Sequence, residues 1–181
     1  MPSTSLPFDP IEEARRQWVR RWPDVADAMA AATSVMRAQQ IVLGAVDGAL
    51  RPFGLTFARY EALVLLTFAR RGELPLGKMG DRLMIHPTSV TNIVDRLERD
   101  GLVRRVPHPT DRRTTLARVT ARGRTLAARA TESVNDTRFG LGVLAQAEIG
   151  QLTSVIRSLR REAGDFTLPD EGDVSRPVAE Y

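Results

Sequence analysis

The chain of 181 residues has no cysteine. That absence excludes a disulfide scaffold, a thiolate zinc site, a cysteine nucleophile and a thiol redox sensor, and it fits a reducing cytoplasm. Histidine is scarce, with only His86 and His108 present. No histidine, aspartate and glutamate spacing of the strong metal-binding type accompanies them, and no glycine-rich phosphate loop occurs, so no metal or cofactor is expected. No uninterrupted apolar run approaches about 18 residues, so no transmembrane helix is expected. Met1 to Phe8 lack a basic stretch followed by an apolar one, so no signal peptide is expected and the location is read as cytoplasmic. Nor does catalysis find support. Ser89 has no evident base, and the carboxylate pairs Glu12–Glu13 and Asp95/Glu98 read as charge patterning along helices. The expectation is a protein that is not an enzyme.

What is present is ordinary for a soluble domain: 43% hydrophobic and 27% charged residues, enough for one sizeable core. The net charge of +4 is unevenly spread. Residues 165–181 carry five acidic residues and one arginine, which marks them as an acidic, flexible tail. Arg70 to Arg124 hold 13 basic and 6 acidic residues, so nearly all the excess sits in the middle of the chain. A basic centre is an electrostatic footprint for a polyanion, although a solvated arginine-rich surface would have the same composition. The order of elements separates the two readings.

Asp9 and Pro10 form a helix start, predicting a first helix over Ile11–Trp22 that stops at Pro23. Asp24 then opens a long helix to about Pro52. Its apolar residues form two rows, one through Val25, Ala32, Val35 and Val42 and one through Met29, Met36, Leu43 and Leu50. One core needs only one stripe, so two rows predict burial by the helix's own domain and by a second copy. Thr56 starts a third helix that ends near Gly72. A short helix over Leu76–Leu83 follows, then one from Pro87 to Gly101 with Val90, Ile93, Val94 and Leu97 at half-buried helical spacing.

After Gly101 the period changes. Val103–Val106 and Thr114–Val119 read as two strands joined by a long basic tip from Pro107 to Arg113. Thr120 caps a helix to about Phe139, and a last helix covers Gln146–Glu162. Two helices, a tight connection, a polar-faced helix and a basic hairpin define a winged helix-turn-helix. A major groove about 12 Å wide admits one α-helix, which must project polar side chains and be anchored by an apolar underside. Pro87–Asp100 meets both conditions. Pro87, Thr88, Ser89, Thr91 and Asn92 lie at its start, Asn suiting adenine edges and the Thr methyl suiting thymine, while Arg96 and Arg99 are placed for phosphates. The fold class is therefore mainly α with a small β-hairpin wing.

Leu76–Gly123 resembles the MarR family of transcription regulators. The residues that carry the likeness are His86-Pro87-Thr88-Ser89-Val90-Thr91, Val94-Asp95-Arg96-Leu97-Glu98-Arg99-Asp100-Gly101-Leu102-Val103-Arg104-Arg105, Asp111-Arg112-Arg113, and Val119-Thr120 before Gly123. The resemblance extends over about residues 24–164. It implies a homodimer that binds double-stranded DNA at inverted repeats, most often as a repressor, with the winged helix-turn-helix over about 54–120 and dimerisation helices over about 24–52 and 120–164. Residues 1–23 are then an N-terminal tail and an extra helix. The family's wing motif falls on Asp111 and Arg113, with Arg113 in a minor groove and Asp111 orienting it, and narrow A·T-rich grooves do attract arginine. Arg112 faces phosphate in this reading.

The resemblance also implies release by a small anionic or aromatic effector held between the dimerisation helices and the DNA-binding lobe. Trp18, Met36, Phe57 and Tyr60 are the candidates, with membership of the core as the plainer reading for the last three. The urate-responsive members carry a tryptophan on an extra N-terminal helix, an acidic residue and a reading-helix arginine. Trp18 and Glu61 match the first two, and Ile93 stands at the third. The alternative function is constitutive or architectural DNA binding without an effector.

Overall fold

A computed structural model describes residues 5–111 and 113–167 of the chain. Its contacts group into two compact units, one up to Ala45 and one from Val46 onward, with the boundary inside a continuous helix.

In the first unit, α1 (Pro10–Arg21) starts where the Asp9 carboxylate accepts the Ile11 N–H at 2.9 Å. Pro10 at the first helical position loses no hydrogen bond there. Glu12 and Glu13 in the first turn and Arg20 and Arg21 in the last complement the helix dipole. After a turn of 3-10 helix at Pro23–Val25 comes α2 (Ala26–Leu50), which reaches into the second unit. Arg15 on α1 pairs with Asp27 on α2 at 2.6 Å. Trp18 and Trp22 stack one helical turn apart, with centroids at 5.1 Å. The long helix therefore begins about two residues later than the sequence suggested, because Pro23 imposes a 3-10 turn first.

The second unit carries the main core. Gly54, in the left-handed region at φ 66°, ends a 3-10 turn and directs the chain into α3 (Phe57–Phe68). α3 is the centre of the unit and packs against α6 (Ala121–Asp136), α5 (Pro87–Arg99) and β3 (Thr115–Val119). Leu63 and Leu66 from α3, Met79 from α4 (Leu76–Leu83), Val90, Val94 and Leu97 from α5, Val103 from β2 (Val103–Pro107) and Val134 from α6 are all essentially sealed from solvent. α4 (Leu76–Leu83) and α5 (Pro87–Arg99) form the helix-turn-helix, joined by a turn in which Met84 adopts φ 53°.

Beyond α5, β2 (Val103–Pro107) pairs antiparallel with β3 (Thr115–Val119) from Val103↔Val119 to Pro107↔Thr115. A third strand, β1 (Glu73–Pro75), pairs with the other edge of β3, giving the order β1-β3-β2. Sequence patterning predicts only a hairpin. Three residues are too few for a period-2 signal, and β1 exists because the stretch after α3 lies along β3. Its Glu73 also forms an ion pair with Arg118.

Thr120 caps α6 (Ala121–Asp136), its hydroxyl accepting the Gly123 N–H at 3.0 Å and donating to the Gly101 and Leu102 carbonyls. α6 enters so close to β2 that a Cβ on Gly123 would stand 2.1 Å from the Leu102 carbonyl oxygen. α7 (Gln146–Glu162) follows, with no fully buried residue. Its Leu152, Val155 and Leu159 are exposed, as are Val35, Met36, Ile41 and Leu43 of α2. The acidic residues beyond Thr167 lie outside the described residues.

Candidate nucleic-acid interface

Helix α5 is built to present one face and anchor the other. Its apolar side, Val90, Val94 and Leu97, is at most 1% exposed. The opposite side exposes Thr88, Ser89, Thr91, Asn92, Arg96 and Arg99, with Pro87 at the first position. The Thr91 hydroxyl donates back to the Pro87 carbonyl at 3.2 Å, which satisfies it within the helix and leaves its methyl as the group free for apolar contact. His86 is the N-cap, and its Nδ1 accepts the Thr88 N–H at 3.3 Å. Histidine is not among the preferred capping residues, so sequence patterns did not single it out for this role.

The wing tip is organised by its own side chains. Asp111 accepts the Arg113 N–H at 2.9 Å and the Thr114 hydroxyl at 2.6 Å. These donors, together with the nearby His108, hold its carboxyl below the usual carboxylate range. Asp111 thus meets Arg113 at its backbone N–H. His108 Nδ1 accepts the Asp111 N–H at 3.1 Å and the Thr110 N–H at 3.4 Å, closing the same turn. Arg113 is exposed and lines a cleft of about 640 Å³ with Lys78, Asp81 and His108. Arg112, the other wing arginine in the expected site, lies outside the described residues.

The reading helix and the wing are tied together by an ionic clamp. Glu98 accepts the backbone N–H of Arg105 at 2.8 Å and its guanidinium at 2.6 Å, and Asp95 takes the other guanidinium nitrogen at 2.7 Å. The two hydrogen bonds from Arg105 hold the Glu98 carboxyl below its ordinary range. Sequence patterning treats Asp95 and Glu98 as solvated helix charges. In the fold they reach across to β2, because α5 and β2 are adjacent across a tight turn at Gly101 (φ 70°). The exposed Arg71 and Lys78 line a neighbouring cleft of about 330 Å³ with His108. They belong to the basic excess of the middle of the chain, the signal that could have added them to the site.

The expected effector residues are distributed over both units. In the first, Trp18 is half-buried beside Trp22 and Met36 is 65% exposed. In the second, Phe57 and Tyr60 lie with ring centroids 6.5 Å apart, and the Tyr60 hydroxyl bonds Thr131 at 3.1 Å. Burial pushes the nearby Glu61 carboxyl up from its ordinary value. No three histidine, aspartate and glutamate side chains gather into a metal-sized cluster among the described residues.

Taken together, an anchored polar helix, a hairpin with an arginine at its tip and a three-stranded sheet define a winged helix-turn-helix DNA-binding protein. The MarR family profile matches residues 58–115. The solved structure of Sco5413, a MarR family transcriptional regulator from Streptomyces coelicolor, is 55% identical, with a TM-score of 0.73 over 78% of this chain and 99% of that one. The HTH-type transcriptional regulator YhbI of Bacillus subtilis is 32% identical over 123 residues, 68% of this chain and 75% of that protein. CouR from Rhodococcus jostii, solved with p-coumaroyl-CoA bound, is 26% identical with a TM-score of 0.63 over 78% of this chain and 95% of that one. The chain belongs to the MarR family, whose members are DNA-binding transcription regulators.

Proposed function

We propose that the protein is a cytoplasmic, homodimeric repressor that binds an inverted-repeat operator and is released by a small-molecule effector. The observation that carries the reading is the split character of α5. Thr88, Ser89, Thr91 and Asn92 stand exposed over a fully buried Val90–Val94–Leu97 underside, with the Arg113 wing tip on the strand pair that follows. In this reading Asn92 and Thr91 contact base edges, Arg96, Arg99 and Arg112 contact phosphates, and Arg113 enters a flanking minor groove.

Two copies are needed because one reading helix covers only a half-site. The exposed apolar residues of α2 and α7 support a second copy as their cover, through dimerisation helices over about 24–52 and 120–164. Release by an effector is supported by the ligand bound to CouR.

Selection of bound genomic fragments, followed by titration of the best fragment against salt, tests the reading. About six neutralised phosphates give a slope of log affinity against log salt near −5. A flat response refutes DNA binding through this surface. Thermal-shift screening of small anions tests release, since a ligand selective for the native state raises the melting temperature. A compound that does so without weakening operator binding counts for constitutive DNA binding instead.

A further inference from the structure

The acidic end of the chain has no role in operator binding, and the structure shows where it leaves the fold. After α7 the backbone turns at Gly164 (φ 80°), and Asp165 pairs with Arg160 at 2.9 Å. The Phe166 ring then lies against two guanidinium groups, that of Arg157 at 5.8 Å and that of Arg160 at 5.5 Å. Arg160 also donates to the Met84 sulfur at 3.4 Å. Met84 is the left-handed residue of the turn between α4 and α5, two positions before the His86 N-cap. One arginine thus joins the root of the acidic segment to the turn that opens the reading helix. We propose that residues 168–181 dock on the exposed cations of α5 and the wing of their own chain and compete there with DNA, as an autoinhibitory contact.

Charge complementarity and reach support this occupant. The segment carries Asp170, Glu171, Asp173 and Glu180 against the single Arg176. On the other side, the carboxylates of and beside α5 are already engaged: Asp95 and Glu98 by Arg105, and Asp100 by Arg59. Arg96 and Arg99 of α5, Lys78 of α4 and Arg113 of the wing are exposed and have no ion-pair partner among the described residues. Fourteen residues span at most about 46–50 Å, at about 3.3–3.6 Å each. The 13 residues of α5 are about 20 Å long at 1.5 Å each, so a segment rooted beside the start of the helix reaches its whole exposed face.

A tethered segment meets its site at an effective concentration in the millimolar range, so ion pairs that are weak singly in solvent still occupy it. The competition rests on the operator-binding reading, because the cations covered are the phosphate and minor-groove contacts there. The docking does not, and it is measured without DNA.

The test uses the full chain. Because the chain has no cysteine, Ser175→Cys gives one attachment point for a nitroxide. At about 50 mM salt the label should broaden the amide signals of Thr88, Ser89, Asn92 and Arg113 selectively. Saturating operator, or about 0.3 M salt, where charges are screened within about 6 Å, should remove the broadening. In parallel, the variant Asp170→Asn/Glu171→Gln/Asp173→Asn/Glu180→Gln should bind operator about three- to tenfold more tightly than the parent at low salt, with the difference gone at about 0.3 M. Absent or uniform broadening overturns the docking, including where the variant binds more tightly, since repulsion of DNA by an undocked segment would do the same. Broadening that is equally strong with nitroxide and isotope on different chains identifies the segment of a second copy and overturns docking within one chain. Selective broadening with unchanged operator affinity in the variant overturns the autoinhibition and keeps the docking. Selective broadening with no operator binding by either protein also keeps the docking and is a failure of the DNA reading alone.

Discussion

Replacing Glu98 by alanine removes the acceptor that joins the reading helix to the wing. Its carboxylate takes the Arg105 backbone N–H at 2.8 Å, a charge-assisted bond of about 1.5–3 kcal/mol. It also pairs with the Arg105 guanidinium at 2.6 Å, with the two side chains 27% and 38% exposed, where solvent screening leaves about 0.2–1 kcal/mol. Because the carboxylate is partly in water, the low end of each range applies, and Asp95 still holds the guanidinium at 2.7 Å. The expected cost is about 2 kcal/mol, or a fall in melting temperature of about 4–8 °C for a domain of this size. Glu98→Gln keeps an oxygen for the backbone N–H but loses the charge, and should cost about half as much.

The pH dependence provides a second check on the same contact. The folded protein holds the Glu98 carboxyl below its ordinary value of 4.5. The stabilisation is therefore complete at neutral pH and fades as pH falls below that value towards the folded one. Melting curves of parent and variant at fixed protein concentration, at pH 7 and near pH 4, should show a gap that narrows in acid. A Glu98→Ala protein that melts within about 1 °C of the parent at pH 7, or an equal gap at both pH values, refutes the assigned role.

Gly123→Ala places a methyl 2.1 Å from the Leu102 carbonyl oxygen, a backbone atom that cannot swing aside; it should cost about 3 kcal/mol or more and show as a large loss of denaturation midpoint. Tyr60→Phe removes the 3.1 Å bond to Thr131 inside the packed contact of α3 with α6 and should cost about 1 kcal/mol by chemical denaturation. Arg113→Ala should weaken operator binding most on A·T-flanked sites with the melting temperature unchanged, while Asn92→Ala should relax preference at one base step by about 1–3 kcal/mol in a small operator library. Light scattering at micromolar concentration should give about twice 20.0 kDa, and a folded monomer would remove the cover proposed for α2 and α7.

The helices were legible wherever caps and periodicity agree. Asp9–Pro10, Thr56 and Thr120 mark three starts, and α4 and α7 have the bounds that their apolar spacing predicts. The reading-helix face was legible for the same reason, since a half-buried helix writes its two faces at fixed spacing. The 3-10 turns at Pro23–Val25 and Arg51–Phe53 were not, because three residues carry no period. The end of α3 at Phe68 was placed late, near Gly72, because glycine marks the turn after Ala69 rather than the last helical residue.

By itself, then, the sequence determined the order of the helices and of the hairpin, the absence of thiol chemistry, the basic middle of the chain and the polar face of α5. These are local properties: composition, caps and side-chain period act within one or two turns of the chain. Tertiary structure alone decided what Asp95 and Glu98 do, since their partner Arg105 lies on a different element. It also decided that β1 exists and that Gly123 is obligatory beside Leu102. Each of these depends on distances between segments far apart in the chain, and such distances are set only when the buried faces of α3, α5 and α6 pack together.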